Sequence, residues 1–348
     1  MKFLIAGLGS IGRRHLRNLL SLGERDLVLY RTRRSTLPYA EPDTEPDAEL
    51  DGFPVEMDLH AALEHRPDAV IVSNPTSLHL DIAIPAAEAG CHILLEKPIS
   101  HSLDRVDEFQ AAVCSGGGQV LVGFQFRFHP GLQKIADLLA KGAIGRPLSV
   151  RAHWGEYLPN WHPWEDYRIS YSARSDLGGG VILTLSHPLD YLPWLLGDVH
   201  RLWAFAGRLG DLELTVEDTA EIGLEFESSA LGSVHLDYNQ QPSVHVIEVI
   251  GSQGTIRWDH ADGAVRLYQA STPLQGEVRD RGESWELFPA PPNFERNAMF
   301  LAEMRHFLAV VRGEASPACT LDDGIKALRL ALAASQSAQT GHKINLVG

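Results

Sequence analysis

Six residues near the start of the chain, Gly7-Leu8-Gly9-Ser10-Ile11-Gly12, spell G-x-G-x-x-G between a short apolar run and a helix-like segment. In that context the glycines have separate tasks. Gly7 permits a tight turn, Gly9 lets a pyrophosphate approach the backbone, and Gly12 lets helix and strand pack closely. The helix that begins at Ser10 and Ile11 would aim its free N–H groups and positive dipole end at those phosphates. The chemistry implied is dinucleotide binding. A second strand ends at Tyr30-Arg31-Thr32-Arg33-Arg34, with no acid there to bond a free ribose 2′-hydroxyl. Arg31 and Arg33, with Thr32 between them, suit a 2′-phosphate, so NADP is expected in preference to NAD.

A second group lies in the middle of the chain. Trp154, Tyr157, Trp161, Trp164, Tyr167 and Tyr171 are interleaved with Glu156, Asn160, His162, Asp166, Arg168 and Arg174. Aromatic faces stack on the C–H faces of sugars while polar neighbours bind hydroxyls. A substrate wall for a sugar, polyol or sugar nucleotide is one reading, and a packed interdomain or subunit interface is the other. In the first reading Tyr157, Trp161, Tyr167 and Arg168 bind substrate, and Arg127 assists an acidic or phosphorylated group.

Two further segments carry a family likeness. Asn74-Pro75-Thr76 follows one strand-like run, and Glu96-Lys97-Pro98 follows the next, after Ala89-Gly90-Cys91-His92-Ile93-Leu94-Leu95. Downstream stand Gly178-Gly179-Gly180 and then His187-Pro188-Leu189-Asp190. Together with the fingerprint at Gly7, the whole chain resembles the Gfo/Idh/MocA oxidoreductases. The resemblance implies a nicotinamide ring held between two domains, with Asn74, Pro75, His79, Glu96 and Lys97 around the cofactor. It also implies that Lys97 and His187 occupy the catalytic lysine and histidine positions, with Thr184 beside substrate. An ammonium near the substrate oxygen would stabilise alkoxide charge, and an imidazole exchanges that oxygen's proton at neutral pH. Hydride would pass between carbon and nicotinamide, and no metal is required. Family members often carry an Asp three or four residues before the histidine; here those positions are Leu183 and Thr184. A non-catalytic dinucleotide-binding sensor of the same fold is the alternative function.

These residues need elements to position them. Up to residue 123, short apolar strands (Phe3 to Ala6, Leu27 to Tyr30, Ala69 to Ser73, His92 to Leu95, Gln119 to Val122) alternate with helical patterns at Ser10 to Leu22, Ser77 to Ala89 and Leu103 to Ser115. That alternation predicts a doubly wound parallel sheet, a Rossmann domain over 1–123. Pro85 is expected to kink or shorten the second helix. Ala40 to Gly52, rich in Glu, Asp and Pro, reads as a solvated loop. From residue 124 the period becomes two, as in Ala220, Ile222, Leu224, Phe226 and in Val234, Leu236, Tyr238. This predicts an α+β domain over 124–348 with a large open, mainly antiparallel sheet. Helices return at Phe294 to Arg312 and Leu321 to Ala338. An open face needs cover, so a homodimer or homotetramer is expected, through Val234, Leu236 and Tyr238 or through the opposite face.

Composition fits this picture. The chain has 348 residues, 44% of them hydrophobic, and a formal charge of −15 at pH 7. An acidic surface disfavours nucleic-acid and anionic-membrane partners. Cys91, Cys114 and Cys319 have no metal spacing and read as bystander thiols. No secretory or membrane-spanning run stands out, and a cytoplasmic location is expected.

Overall fold

The apolar run at Phe3–Ala6 has no exposed side chain, the expected state of a strand covered on both faces. It is the centre of a six-stranded parallel sheet in a computed structural model that describes residues 1–32, 50–163, 165–270 and 285–346. The strands are β1 (Lys2–Ala6), β2 (Asp26–Tyr30), β3 (Val55–Glu56), β4 (Ala69–Val72), β5 (His92–Glu96) and β6 (Val120–Gly123), in the order β3-β2-β1-β4-β5-β6. The order reverses between β1 and β4, and ligands bind at such a switch point, outside the carboxyl ends of the strands. Helices α1 (Ser10–Ser21), α2 (Leu59–Glu64), α3 (His79–Glu88) and α4 (Val106–Gly116) make the crossovers. Pro85 lies inside α3, which runs on to Glu88. Asp81, whose carbonyl Pro85 deprives of a donor, is exposed, so water can take that carbonyl's bond.

The second unit is a nine-stranded sheet ordered β14-β13-β12-β11-β7-β10-β9-β8-β15. A short helix α5 (Pro130–Ala140) leads to its long central strand β7 (Pro147–Gly155). Then follow α6 (Val181–Thr184), α7 (His187–Leu196), β8 (Val199–Gly207), β9 (Thr219–Phe226), β10 (Leu231–Asp237), β11 (Val244–Gly251), β12 (Gly254–Asp259), β13 (Val265–Gln269) and β14 (Glu286–Phe288). The chain closes with α8 (Asn297–Val311), α9 (Leu321–Thr340) and β15 (Ile344–Asn345). All pairings are antiparallel except β10 on β7. Ala152, Ile222, Val234, Leu236 and Ile247 turn inward under the helices and are buried.

That burial corrects one expectation. Val234, Leu236 and Tyr238 belong to the chain's own core at 0% exposure, so they cannot form a subunit contact. The opposite face carries Trp203, Phe205, Arg151, His153, Glu221 and His235, and Phe205 is 62% exposed. The last two helices bridge the sheets. Met304, Phe307, Cys319, Ile325 and Leu328 pack in the core of the parallel sheet, whereas Leu330, Ala331 and Ala334 pack in that of the other. A capping box at Thr320 and Asp323 starts α9. No helix among the described residues is long and apolar enough to cross a membrane. Arg33, Arg34, Trp164 and most of the acidic segment 40–52 lie outside the described residues.

Candidate active site

The glycine loop leaves β1 as its spacing requires. Gly7 has φ +98°, and a Cβ there would stand 2.6 Å from the Asn74 backbone nitrogen. A Cβ on Gly12 would come 1.9 Å from the Gly7 carbonyl oxygen. At Gly9 the same atom would meet nothing within 4 Å. Gly9 is also the N-cap of α1, and it supplies no side chain to the N–H groups behind it. Open space in front of unbonded helix donors suits a pyrophosphate. Asn74 adds to this: its Nδ2 donates to the Leu78 carbonyl, while its buried Oδ1 has no partner. Pro75 begins the single turn Thr76–Leu78 beside it. Arg31 and Thr32 follow β2 directly, and the Arg31 N–H donates to the Glu56 carbonyl.

His79 does something else. Its two ring nitrogens contact the Pro98 and Asn74 carbonyl oxygens at 2.9 and 3.0 Å, and the ring is buried. It ties the Asn74 loop to the Lys97 loop, so the expected cofactor contact is corrected to a brace between two loops. Glu96 is likewise engaged, its Oε1 lying 2.7 Å from His15 Nε2.

Lys97 and His187, ninety residues apart, come together. Lys97 is carried past the end of β5 on a cis peptide to Pro98, and its Nζ donates to the Thr184 carbonyl at 2.5 Å. Thr184 ends α6, and His187 begins α7 three residues later. Burial holds the Lys97 ammonium down at about 8, with Arg296 pushing the same way and Glu96 and Glu156 opposing. Burial also drives the His187 imidazole well below its ordinary 6.5, with Lys97, His245 and Arg296 adding to the effect. His187 is therefore neutral at pH 7. It sits among Phe124, Phe126 and Trp154, at ring distances of 5.5, 4.8 and 5.3 Å, and its buried Nδ1 has no partner. A neutral imidazole with an unused nitrogen beside a protonated amine can accept a proton from a hydroxyl that the amine polarises.

Two arginines expected at substrate are not available there. The Arg127 guanidinium is buried and forked onto Asp190 at 2.7 Å, with further bonds to Asp323 and the Ala318 carbonyl. This pair locks α7 to α9, and Asp190 serves Arg127. Arg168 spends its guanidinium on Asp166 and Glu213 at the exposed surface. Among the aromatics, Trp161 packs edge-on against Tyr238 at 5.5 Å with its buried Nε1 unpartnered, and the Tyr167 hydroxyl accepts from the Glu213 N–H. Tyr157 is half-buried two residues past the end of β7. An open cleft of about 690 Å³ is lined by His101, Gly178, Leu183, Arg208 and Glu217. Leu183, on its wall, is the residue before Thr184.

Arg296, the N-cap of α8, is a residue that sequence reading missed. It bears electrostatically on Lys97, His187, His162 and His260 at once. No local motif marks it, because it arrives from the far end of the chain. Trp154 was read as an aromatic of the wall; it shields His187 and stacks on His245 at 4.6 Å.

Known proteins give the arrangement a context. A family model described as "Oxidoreductase family, NAD-binding Rossmann fold" matches residues 1–124, and one described as "Oxidoreductase family, C-terminal alpha/beta domain" matches 136–346. The myo-inositol 2-dehydrogenase of Thermotoga maritima is 29% identical, covering 99% of this chain and 98% of its own. The D-xylose 1-dehydrogenase (NADP(+)) 2 of Haloferax volcanii is 26% identical over 99% of this chain and 100% of its own. A levoglucosan dehydrogenase solved with NADH and levoglucosan superposes with a TM-score of 0.84 over 100% of both chains, at 19% identity, which speaks for the fold.

Proposed function

This chain belongs to the Gfo/Idh/MocA oxidoreductase family, and from that premise we propose that it is a dehydrogenase of a sugar, polyol or sugar nucleotide. The reading rests on one observation: the Lys97 ammonium bonds the carbonyl that closes the helix before His187, so the two side chains share one electrostatic environment. The relatives' named substrates, an inositol and a pentose, support the substrate class.

Gly7, Gly9, Gly12 and the α1 N-terminus would hold the pyrophosphate, and Asn74 and Pro75 the nicotinamide side. The cofactor, when bound, supplies the hydride acceptor or donor. Lys97 donates to the substrate oxygen and stabilises its developing negative charge. His187 removes the hydroxyl proton in oxidation and returns it in reduction. Trp154, Phe124 and Phe126 exclude water from the imidazole, which keeps it neutral and able to accept. NADP is preferred: Arg31 follows β2 where an acid would otherwise select a free 2′-hydroxyl. The outward sheet face, with Trp203 and Phe205, is the surface through which a homodimer or homotetramer would form.

The test is absorbance at 340 nm with NADP or NAD and a panel of inositols, aldoses and sugar nucleotides. Turnover with at least one of them, lost in Lys97→Ala and His187→Ala, is expected. Turnover untouched by either substitution overturns the assignment, and a higher kcat/KM with NAD overturns the cofactor preference.

A further inference from the structure

The outward face of the large sheet holds a second group of residues with chemistry of its own. His153 on β7 and His235 on β10 are direct partners across the parallel pairing, and Glu221 on β9 is the partner of His235 on its other side. Side chains at positions i and i+2 of a strand share a face, so Asp237 joins the same row. His235 Nδ1 lies 2.6 Å from Glu221 Oε1, and its Nε2 lies 2.8 Å from Asp237 Oδ2. His153 Nε2 stands 3.9 Å from that same oxygen, and the two imidazole rings are 4.5 Å apart. The His153 Nε2 atom is shut off from solvent and has no hydrogen-bond partner.

We propose that His153, His235 and Asp237 form a binding site for a zinc-type divalent cation, separate from the Lys97–His187 centre. The donor set is two imidazole nitrogens and one carboxylate oxygen, all within 4.8 Å of one another. Tetrahedral coordination at about 2.0–2.1 Å places ligand atoms about 3.4 Å apart. The two separations to Asp237, 2.8 and 3.9 Å, bracket that value, and the imidazole donors, within 4.8 Å of each other, would draw together on an ion. Glu221 supplies the outer support such sites use. By holding the proton on Nδ1 it leaves the Nε2 lone pair of His235 for the metal. The other oxygen of Asp237 accepts from the Asn239 N–H, which fixes the carboxylate with Oδ2 toward the imidazoles. Gly155, paired across from Asp237, leaves the room: a Cβ there would stand 2.6 Å from Oδ2. Three protein ligands leave a fourth position for water, or for a donor from a second copy docked on this face.

A proton competes for the same place. His235, bonded by carboxylates on both sides, is held up to about 9.

The experiment uses the full-length protein, stripped with a chelator and titrated at pH 8 with zinc chloride by calorimetry, and in parallel with cobalt chloride followed by visible absorbance. One ion per chain is expected, with a Kd below about 10 μM and a tetrahedral cobalt spectrum. His153→Gln and Asp237→Asn should each weaken binding at least about 100-fold, and Glu221→Gln about 10- to 100-fold. His60→Gln, on the exposed surface of α2, should change nothing. Circular dichroism on each variant verifies folding, and Glu221→Gln keeps the test decisive if a ligand variant does not fold. Absence of stoichiometric binding, or binding that survives His153→Gln, overturns the site.

Discussion

Lys97 gives the sharpest consequence. Its amine is an ammonium held at about 8 by burial, against an ordinary 10.5. At 1.36 kcal/mol for each tenfold, keeping it charged in the folded protein at pH 7 costs about 3 kcal/mol, a ceiling for a side chain that retains some exposure. Lys97→Met removes the charge and keeps the length. It also strands the Thr184 carbonyl, a loss of about 1–3 kcal/mol. The net expectation at pH 7 is a variant as stable as the parent or up to about 2 kcal/mol more stable, with kcat/KM lower by about 10²- to 10³-fold. The pH dependence separates this from ordinary repacking. Between about 8 and 10.5 the unfolded chain holds the lysine proton and the folded chain has released it. Stability of the parent therefore rises with pH across that window relative to the variant, which has no such group. Urea unfolding of both proteins at pH 7, 8.5 and 10 reads the difference directly. A gap between parent and variant that does not change over that range would refute the reasoning, as would a variant that keeps its activity.

Other outcomes follow from the same geometry. Gly9→Ala should leave the unfolding free energy within about 0.5 kcal/mol of the parent and weaken NADP binding about tenfold or more, whereas Gly12→Ala, pressed on the Gly7 carbonyl, should lose both; fluorescence titration and thermal melts distinguish them. Burial holds His129 down at about 4, and His187 and His245 are depressed by the same cause. Below about 6.5 the unfolded chain takes up protons that these buried rings refuse, so stability falls as pH drops from about 6.5 toward 4, by about 3 kcal/mol for His129 alone; a flat profile in denaturant titrations would count against it. Arg127→Met strands the buried Asp190 and should cost about 3–5 kcal/mol, yet leave KM for substrate within about twofold, in contrast to an arginine that grips substrate. Glu303 is fully buried, neither carboxylate oxygen has a partner, and burial, with Glu96 nearby, pushes its carboxyl well above the ordinary range. Glu303→Gln should therefore be tolerated, with a change under about 1 kcal/mol in chemical denaturation.

Much of this was legible in the residues. The five strand-like runs before residue 123 are strands because each is short and mostly apolar, and a parallel sheet buries both faces of such a segment. The glycine loop could be read in detail because steric exclusion at Gly7 and Gly12 is a property of the backbone alone. Elements such as β3, α2 and α6 were not legible, being too short to show a period. Arginines were the main source of error. Arg127 looks the same in sequence whether it meets a substrate carboxylate or Asp190, and the deciding partner lies 63 residues away. Arg296 was silent for the converse reason: its importance comes from where α8 begins, not from its neighbours in the chain.

The central claim is that the Lys97 amine and the His187 imidazole act on one substrate oxygen. A double-mutant cycle on kcat/KM tests it most directly, with Lys97→Met, His187→Gln and the pair measured on the best substrate found. Groups that work as a unit are not additive, so the double variant should be slower than the worse single variant by less than about threefold. Losses that multiply in full would mean that the two side chains act independently, and would contradict the account.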